Sequence, residues 1–529
     1  MKGTAERNRS RWRALVPWVA LVFIIVAGLG LRLGYFLNGD PFVDEWATML
    51  VARGIWEQGL PFLPSGTLYA RAMLFSYLDA LLLAVVGWTP VVVQLPSLLA
   101  GVLTIPLAYF VGRQLFAGSE VPVLHGAGDT ADSGEQSRTS RGKHNLLMEW
   151  RGEAVGLLAA ALLALDPIAI IWSGRARAYT LEHVFVLLAI LWLHQRRYIL
   201  FSLAFVGALF SHAEAALLLP GFALGLLLGE GWSIIRRPKV WLATGISLVA
   251  IAVRLVIHRQ IITGTGGRFE VMAVRPAIQL SLDIAAGFRP LLPFFTESYR
   301  LVAALLFLVG LAFAVRAWRR QDRKSGYLLL YPLCLVTLAE MLTVVGQSWK
   351  DPRYLLMLLP AFFVLAGATA VDVLIWIEGR SRVPAWLKVT VGVLLIGLLL
   401  IPPLPEALNA ANKLEEGYGP TLAYVRDQWQ SDDTVAGWAA PAIAVELGQI
   451  DYFAMQIGNE EFIMEKDGIW VDRWVGAPLM DSVEQLEAAL DQPGRLWFLT
   501  DEFRFRARYT PEFAQAIWDR MEPVFRYHN

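Results

Sequence analysis

The chain has 529 residues, 56% of them apolar, and its 46 basic side chains balance 46 acidic ones. With a mean hydropathy of +0.49 it carries more apolar surface than one soluble core can hold, so the surplus must face lipid, and the balanced charge sets up no field to recruit nucleic acid. The one cysteine, Cys334, lies in an apolar run and excludes both an intramolecular disulfide and a CxxC metal or redox site.

At the N-terminus, Lys2, Arg7, Arg9, Arg11 and Arg13 precede an apolar run over 14–36 with no small-residue cleavage site behind it, which reads as an uncleaved signal anchor. Further runs long enough for about 30 Å of hydrocarbon begin near residues 91, 154, 239, 299, 327, 354 and 386, and shorter ones cover 179–194, 199–212 and 213–230. Lys and Arg cluster at the N-terminus and at 113–151, 195–197, 236–239, 316–324 and 380–388. Placing every cluster in the cytoplasm requires an even number of spans between neighbours. The stretch 68–87, carrying Arg71 and Asp79, is therefore expected as an interfacial or re-entrant helix. The expectation is an α-helical polytopic protein of the plasma membrane with about eleven spans, its N-terminus cytoplasmic and its C-terminal domain extracytoplasmic.

Residues 1–404 are read as the transmembrane part, interrupted at 117–146 by a Gly/Ser/Asp-rich, flexible cytoplasmic insertion. Residues 405–529 are less apolar and alternate between helical and strand-like segments. TLAYVRDQW, PAIAVELG, SVEQLEAAL and TPEFAQAIWDRM are helical, whereas DDTVAGW, IDYFAMQ and RLWFLTD are strand-like, giving a small α/β domain.

This topology gathers four polar turns on the outer face. GDPFVDEW carries Asp44 and Glu45, either a general base toward a hydroxyl or carboxylates that favour a helix N-terminus. In LPSGTLYAR, Tyr69 and Arg71 reach the interface, where Arg71 either pairs with a phosphate or snorkels to headgroups. SGRARAYTLEH places Arg175, Arg177, Tyr179, Glu182 and His183 between two spans, with Asp44, Glu45 or a bound phosphate to compensate the arginines. DPRYLLMLLP sets Arg353 and Tyr354 at another outer mouth, beside Lys350 and Asp351. His212 and Glu214 in SHAEA make a further outer pair, read as structural rather than metal-binding, since two ligands do not make a divalent site. No GxGxxG or GxxxxGK motif occurs in any inner loop, which disfavours a nucleotide-sugar donor.

On VDEW, LPSGTLYAR, QLPSLLAGVLTIPLAYFVGRQLF, SGRARAYTLEH and DPRYLLMLLP, the chain resembles the GT-C glycosyltransferase superfamily, in particular the group of protein O-mannosyltransferases and lipid A aminoarabinose transferases. The resemblance implies inverting transfer of a sugar from a polyprenyl-phosphate carrier to a hydroxyl on a glycan, lipid or protein acceptor. Asp44 would be the catalytic base with Glu45 beside it, and Arg71, Arg175, Arg177, Arg353 and Tyr354 would hold the donor phosphate. Tyr69, Tyr179, Glu182, His183 and His212 are the candidate substrate-binding residues. No cofactor motif occurs, and a divalent cation stays open. The alternative reading is a transporter or flippase of a lipid-linked anion, which calls for charges deep in the spans; Asp166, Arg254, Glu340 and Asp372 are the main ones.

Overall fold

The computed structural model describes residues 2–117, 148, 150–264, 279–346, 350–414 and 417–527. The insertion expected over 117–146 lies, from 118 on, outside the described residues, as do residues 265–278 of the outer loop. Among the described residues, seven helices are long and apolar enough to cross a membrane, and an eighth span results if the bent pair Arg151–Leu165 and Pro167–Ser173, at 64° to each other, counts as one. The expected eleven is reached only by adding the shorter apolar helices Tyr179–His194, Tyr198–Ser211 and Tyr327–Thr343. The protein is a multi-pass membrane protein built of helices, with a small sheet near its C-terminus.

Helix α1 (Lys2–Asn38) leads into a shorter helix, α2 (Val43–Gln58). The start of α2 is fixed by Glu45, whose Oε2 accepts the backbone N–H of Phe42 at 2.9 Å, one of the donors a helix N-terminus leaves without an intrahelical partner. A bridge between Phe62 and Leu68 then lies directly on α2. At Gly54 an added Cβ would stand 1.9 Å from the Phe62 carbonyl oxygen, so only glycine admits that approach. Helix α3 (Met73–Val86) has 14 residues, about 21 Å at 1.5 Å per residue. Helix α4 (Leu95–Phe116) follows and packs along Arg151–Leu165.

Three arginines inside the helical body, Arg32, Arg151 and Arg300, are matched internally. Arg151, 2% exposed, meets Asp372 in a bidentate pair at 2.6 and 2.7 Å, and the Tyr327 hydroxyl donates to the same carboxylate at 2.8 Å. Asp166 caps the Pro167–Ser173 helix through the Ala169 N–H at 2.8 Å and pairs with Arg300 at 2.7 Å. The guanidinium of Arg32 donates to the Gly28, Leu163 and Ala164 carbonyls and to Ser173 Oγ at 3.0–3.2 Å. Asp166 and Asp372, two of the deep charges a transporter would need free, are thus engaged in holding helices together.

The tail forms the expected helices and strands around a parallel sheet ordered β5-β2-β1-β6, with β1 at Thr434–Gly437, β2 at Tyr452–Ala454, β5 at Leu479–Met480 and β6 at Leu496–Leu499. A separate antiparallel hairpin joins β3 (Ile463–Lys466) to β4 (Ile469–Asp472). Helices Ala440–Leu447 and Val483–Leu490 connect strands of the sheet, as parallel pairing demands. Beside the first strand Asp433 receives Arg495 Nη2 at 2.7 Å and Trp497 Nε1 at 2.9 Å.

Two measurements test this framework. Arg151→Met alone strands Asp372 and is expected to cost about 3–5 kcal/mol, whereas adding Asp372→Leu should restore most of the loss in the thermal unfolding midpoint in detergent. In the tail, the Arg495 guanidinium and the Trp497 indole hold the Asp433 carboxyl well below the usual carboxylate range. Such a group contributes stability that is present above its unfolded pKa, about 3.9, and lost as pH falls through the folded value. Asp433→Asn should therefore be less stable than wild type at neutral pH, with the gap narrowing below about pH 4 when acid unfolding is followed by fluorescence.

Candidate active site

The first residues of α2 meet the turn between Ser173 and Tyr179. Arg177 donates from Nε to Asp44 Oδ2 at 3.0 Å and forms an ion pair with the same carboxylate. One residue along, Glu45 is 1% exposed and accepts the Ala176 N–H at 2.9 Å through Oε1. Burial, and then the neighbouring Asp44, push the Glu45 carboxyl above its ordinary pKa. The two adjacent carboxylates therefore differ in kind. Asp44 is about one third exposed, whereas Glu45 is consumed in locking the helix to the turn.

The other polar turns named from the sequence converge on this pair. Arg177 interacts electrostatically with Tyr69 and Tyr179 as well as Asp44, and Tyr179 in turn with Arg353, Tyr354 and Glu214. A ladder of rings ties the turns together, with centroid separations of 4.6 Å for Trp172 and Tyr179, 5.0 Å for Tyr179 and His212, and 6.0 Å for His212 and Tyr354. Arg353 continues it, its guanidinium 5.1 Å from the Tyr354 ring centroid and 3.6 Å from Asp351. His212 Nδ1 pairs with Glu214 at 2.5 Å. Burial alone would lower the imidazole pKa, but Glu214 outweighs it and holds the ring's pKa above its usual value. Glu182, 1% exposed, interacts electrostatically with His212 and Glu214, and its Oε1 has no hydrogen-bond partner among the described residues.

Arg71 is exposed and precedes α3. Its carbonyl accepts Arg254 Nη2 at 2.9 Å, and its side chain interacts electrostatically with Glu214. Arg254 belongs to this assembly although the sequence suggests it only as a charge deep in a span. It interacts with Glu214 and Tyr69, and the signal was a single cation in the apolar run AIAVRLVI, where an arginine is costly unless it faces a polar interior. Two candidates stand apart from Asp44. Arg175 donates to the Tyr35 hydroxyl at 3.0 Å and lies over Trp172, joining the ladder at its far end. His183 is turned the other way, with Nε2 at 2.6 Å from the Leu356 carbonyl oxygen and the Asp166, Arg32 and Arg300 group as its charged neighbours.

Chemically the arrangement sets the accessible carboxylates of Asp44 and Asp351 among arginines, with tyrosines and a histidine beside them. Guanidinium groups suit phosphate oxygens. Among the described residues no three His, Cys, Asp or Glu side chains gather as a metal site would need.

No family profile and no curated protein sequence matches the chain. Solved structures do match. ArnT from Cupriavidus metallidurans bound to undecaprenyl phosphate shares 13% identity over 84% of this chain and 87% of its own, with a TM-score of 0.54, and the apo state of the same protein gives 13%, 86%, 88% and 0.53. The oligosaccharyltransferase of Archaeoglobus fulgidus, tethered with an acceptor peptide, shares 12% identity over 83% of this chain with a TM-score of 0.51, and the match spans 64% of that longer protein. At such identities the likeness is one of architecture: the chain has the GT-C fold of membrane glycosyltransferases.

Proposed function

We propose that the protein transfers a sugar from a polyprenyl-phosphate carrier to an acceptor hydroxyl at the outer face of the membrane, with inversion at the anomeric carbon. The observation that carries this reading is the accessible Asp44 carboxylate held by Arg177 where Tyr69, Tyr179, Arg71, Arg254 and Arg353 converge. Support comes also from the fold it shares with a protein solved with undecaprenyl phosphate bound. The cytoplasmic N-terminus and outward tail follow from the Lys and Arg clusters.

In the transfer, Asp44 takes the acceptor's proton as the acceptor oxygen bonds to the anomeric carbon. The bond from that carbon to the carrier phosphate breaks, and its electron pair leaves on the phosphate oxygen. Arg71, Arg177, Arg254 and Arg353, with the Tyr354 hydroxyl, stabilise that charge through donors already in place. As the phosphate arrives, Arg177 is shared between it and Asp44. Its grip on the carboxylate loosens when the base must accept a proton. Glu182 offers its unpartnered oxygen to a sugar hydroxyl, and Tyr69, Tyr179 and His212 line the sugar's path. Arg175 braces the turn from behind.

Purified protein supplied with labelled polyprenyl-phosphate sugars tests the assignment. Asp44→Asn should lower kcat by about 10²–10⁴-fold with little change in donor KM; turnover that survives this substitution intact would overturn the reading. Arg353→Ala, at the exposed edge, should instead raise donor KM about tenfold, corresponding to about 1.5 kcal/mol for one charge-assisted contact, as measured by donor titration.

A further inference from the structure

The segment between α1 and α3 carries Asp44, Tyr69 and Arg71, and the C-terminal sheet region holds it at two places. The first lies just before α2. Arg504, in the helix Glu502–Arg508, lies over the Trp438 ring with its guanidinium carbon 3.5 Å from the centroid, and it lies 5.5 Å from the Phe42 ring centroid. Arg504 is itself fixed, with Nη1 donating to Asp501 Oδ2 at 2.8 Å and its backbone N–H to Oδ1 at 2.9 Å. The Tyr418 hydroxyl donates to Asp501 and receives Trp438 Nε1 at 2.6 Å. Beside this cluster the Tyr527 hydroxyl reaches Asp40 at 3.2 Å. Gly417 lies so close to Asp40 and Pro41 that an added Cβ would stand 2.5 Å from each.

The second grip is at the turn before Tyr69. Ser65 donates through its N–H to the Trp474 carbonyl at 3.3 Å and through its hydroxyl to the Arg473 carbonyl, while Lys466 Nζ donates to the Ser65 carbonyl at 3.2 Å. The backbone loop that receives Ser65 is shaped by Asp472, whose carboxylate accepts the N–H groups of residues 474–477 at 2.6–3.0 Å.

The sheet's topology gives the first grip its meaning. Trp438 follows β1 and Asp501 follows β6, so both stand at the carboxyl ends of two adjacent strands, where the order β5-β2-β1-β6 changes direction. In open α/β sheets this crevice is where ligands bind. Here Phe42, two residues before Asp44, lies against it.

We propose that the C-terminal region is a positioning domain for the outer loop, with Arg504 a positioning residue that acts on Asp44 through Phe42. The linkage is continuous: Arg504 bears on Phe42, the Phe42 N–H is held by Glu45, Glu45 holds Ala176, and the next residue, Arg177, holds Asp44. Releasing Phe42 lets the start of α2 turn, and misplacement of a reacting group by about 1 Å can cost 10²-fold in rate. The catalytic consequence rests on the function proposed above; the mechanical one does not.

The experiment uses the full-length chain in lipid nanodiscs and two readouts. Arg504→Ala should speed amide hydrogen exchange over residues 43–48 while leaving the buried helix Leu359–Glu378 unchanged. With a labelled polyprenyl-phosphate sugar it should lower kcat by about 10–100-fold at nearly constant donor KM, and Arg504→Lys, which keeps a cation between the two rings, should recover much of the loss. Unchanged exchange at 43–48 would overturn the proposal, as would a kcat equal to that of wild type in a preparation where Asp44→Asn is inactive. Phe42→Leu removes the same contact from the loop side and decides the matter if Arg504→Ala does not fold. Full turnover in Asp44→Asn would refute the role of Asp44 alone, because the exchange readout needs no donor.

Discussion

A guanidinium at the lip of a bilayer has to be paired or hydrated, and Arg177 is paired with a carboxylate 133 residues earlier in the chain. That one contact ties α2, a helix with no span of its own, to the turn between two membrane helices. Because Glu45 binds the same turn through the Ala176 N–H, the start of α2 is held at two adjacent residues and its rotation about its own axis is restrained. The direction in which Asp44 points is thereby set. The aromatic ladder from Trp172 to Tyr354 brings the turns at His212 and Tyr354 to the same place.

Charge is divided between two tasks. Inside the helical body, Arg151 with Asp372 and Arg300 with Asp166 saturate each other at hydrogen-bond distance. Buried pairs of this kind contribute less to net stability than to a unique arrangement of helices, because desolvation offsets much of the Coulomb attraction. At the outer mouth the balance is deliberately incomplete. Arg353 is about half exposed, Asp44 about one third exposed, and Glu182 keeps an oxygen without a partner among the described residues. Groups left in this state retain interaction energy for a ligand.

Hydropathy and positive-charge clustering made the membrane character and the apolar runs legible, because both depend on composition within short windows. The alternation of the tail was legible for the same reason, and its seven segments stand where periodicity put them. The β3–β4 hairpin was missed although its turn is written plainly as Asp467-Gly468. Both residues have positive φ, at 53° and 81°, which is the two-residue geometry that Asp-Gly favours. What the sequence could not convey were partners across long separations. Arg254 binds the carbonyl of Arg71, a contact that no local pattern encodes. His183 carries the same residue type as His212 in a similar outer turn, yet the helix Tyr179–His194 turns it toward the Asp166 group. A shift of one position around a helix is about 100°, enough to exchange one environment for the other.

The helix Tyr198–Ser211 sets the depth at which these groups operate. Its 14 residues rise about 21 Å, against about 30 Å of hydrocarbon, while the span Pro238–Ile257, whose helix packs beside it, has 20 residues. Lipid beside the short helix has to thin or the helix has to sit low, at a cost of fractions of a kcal/mol per Å of mismatch. His212, the residue that follows it, is placed by this short element. Acyl-chain length in the surrounding membrane becomes a physical variable of the site itself.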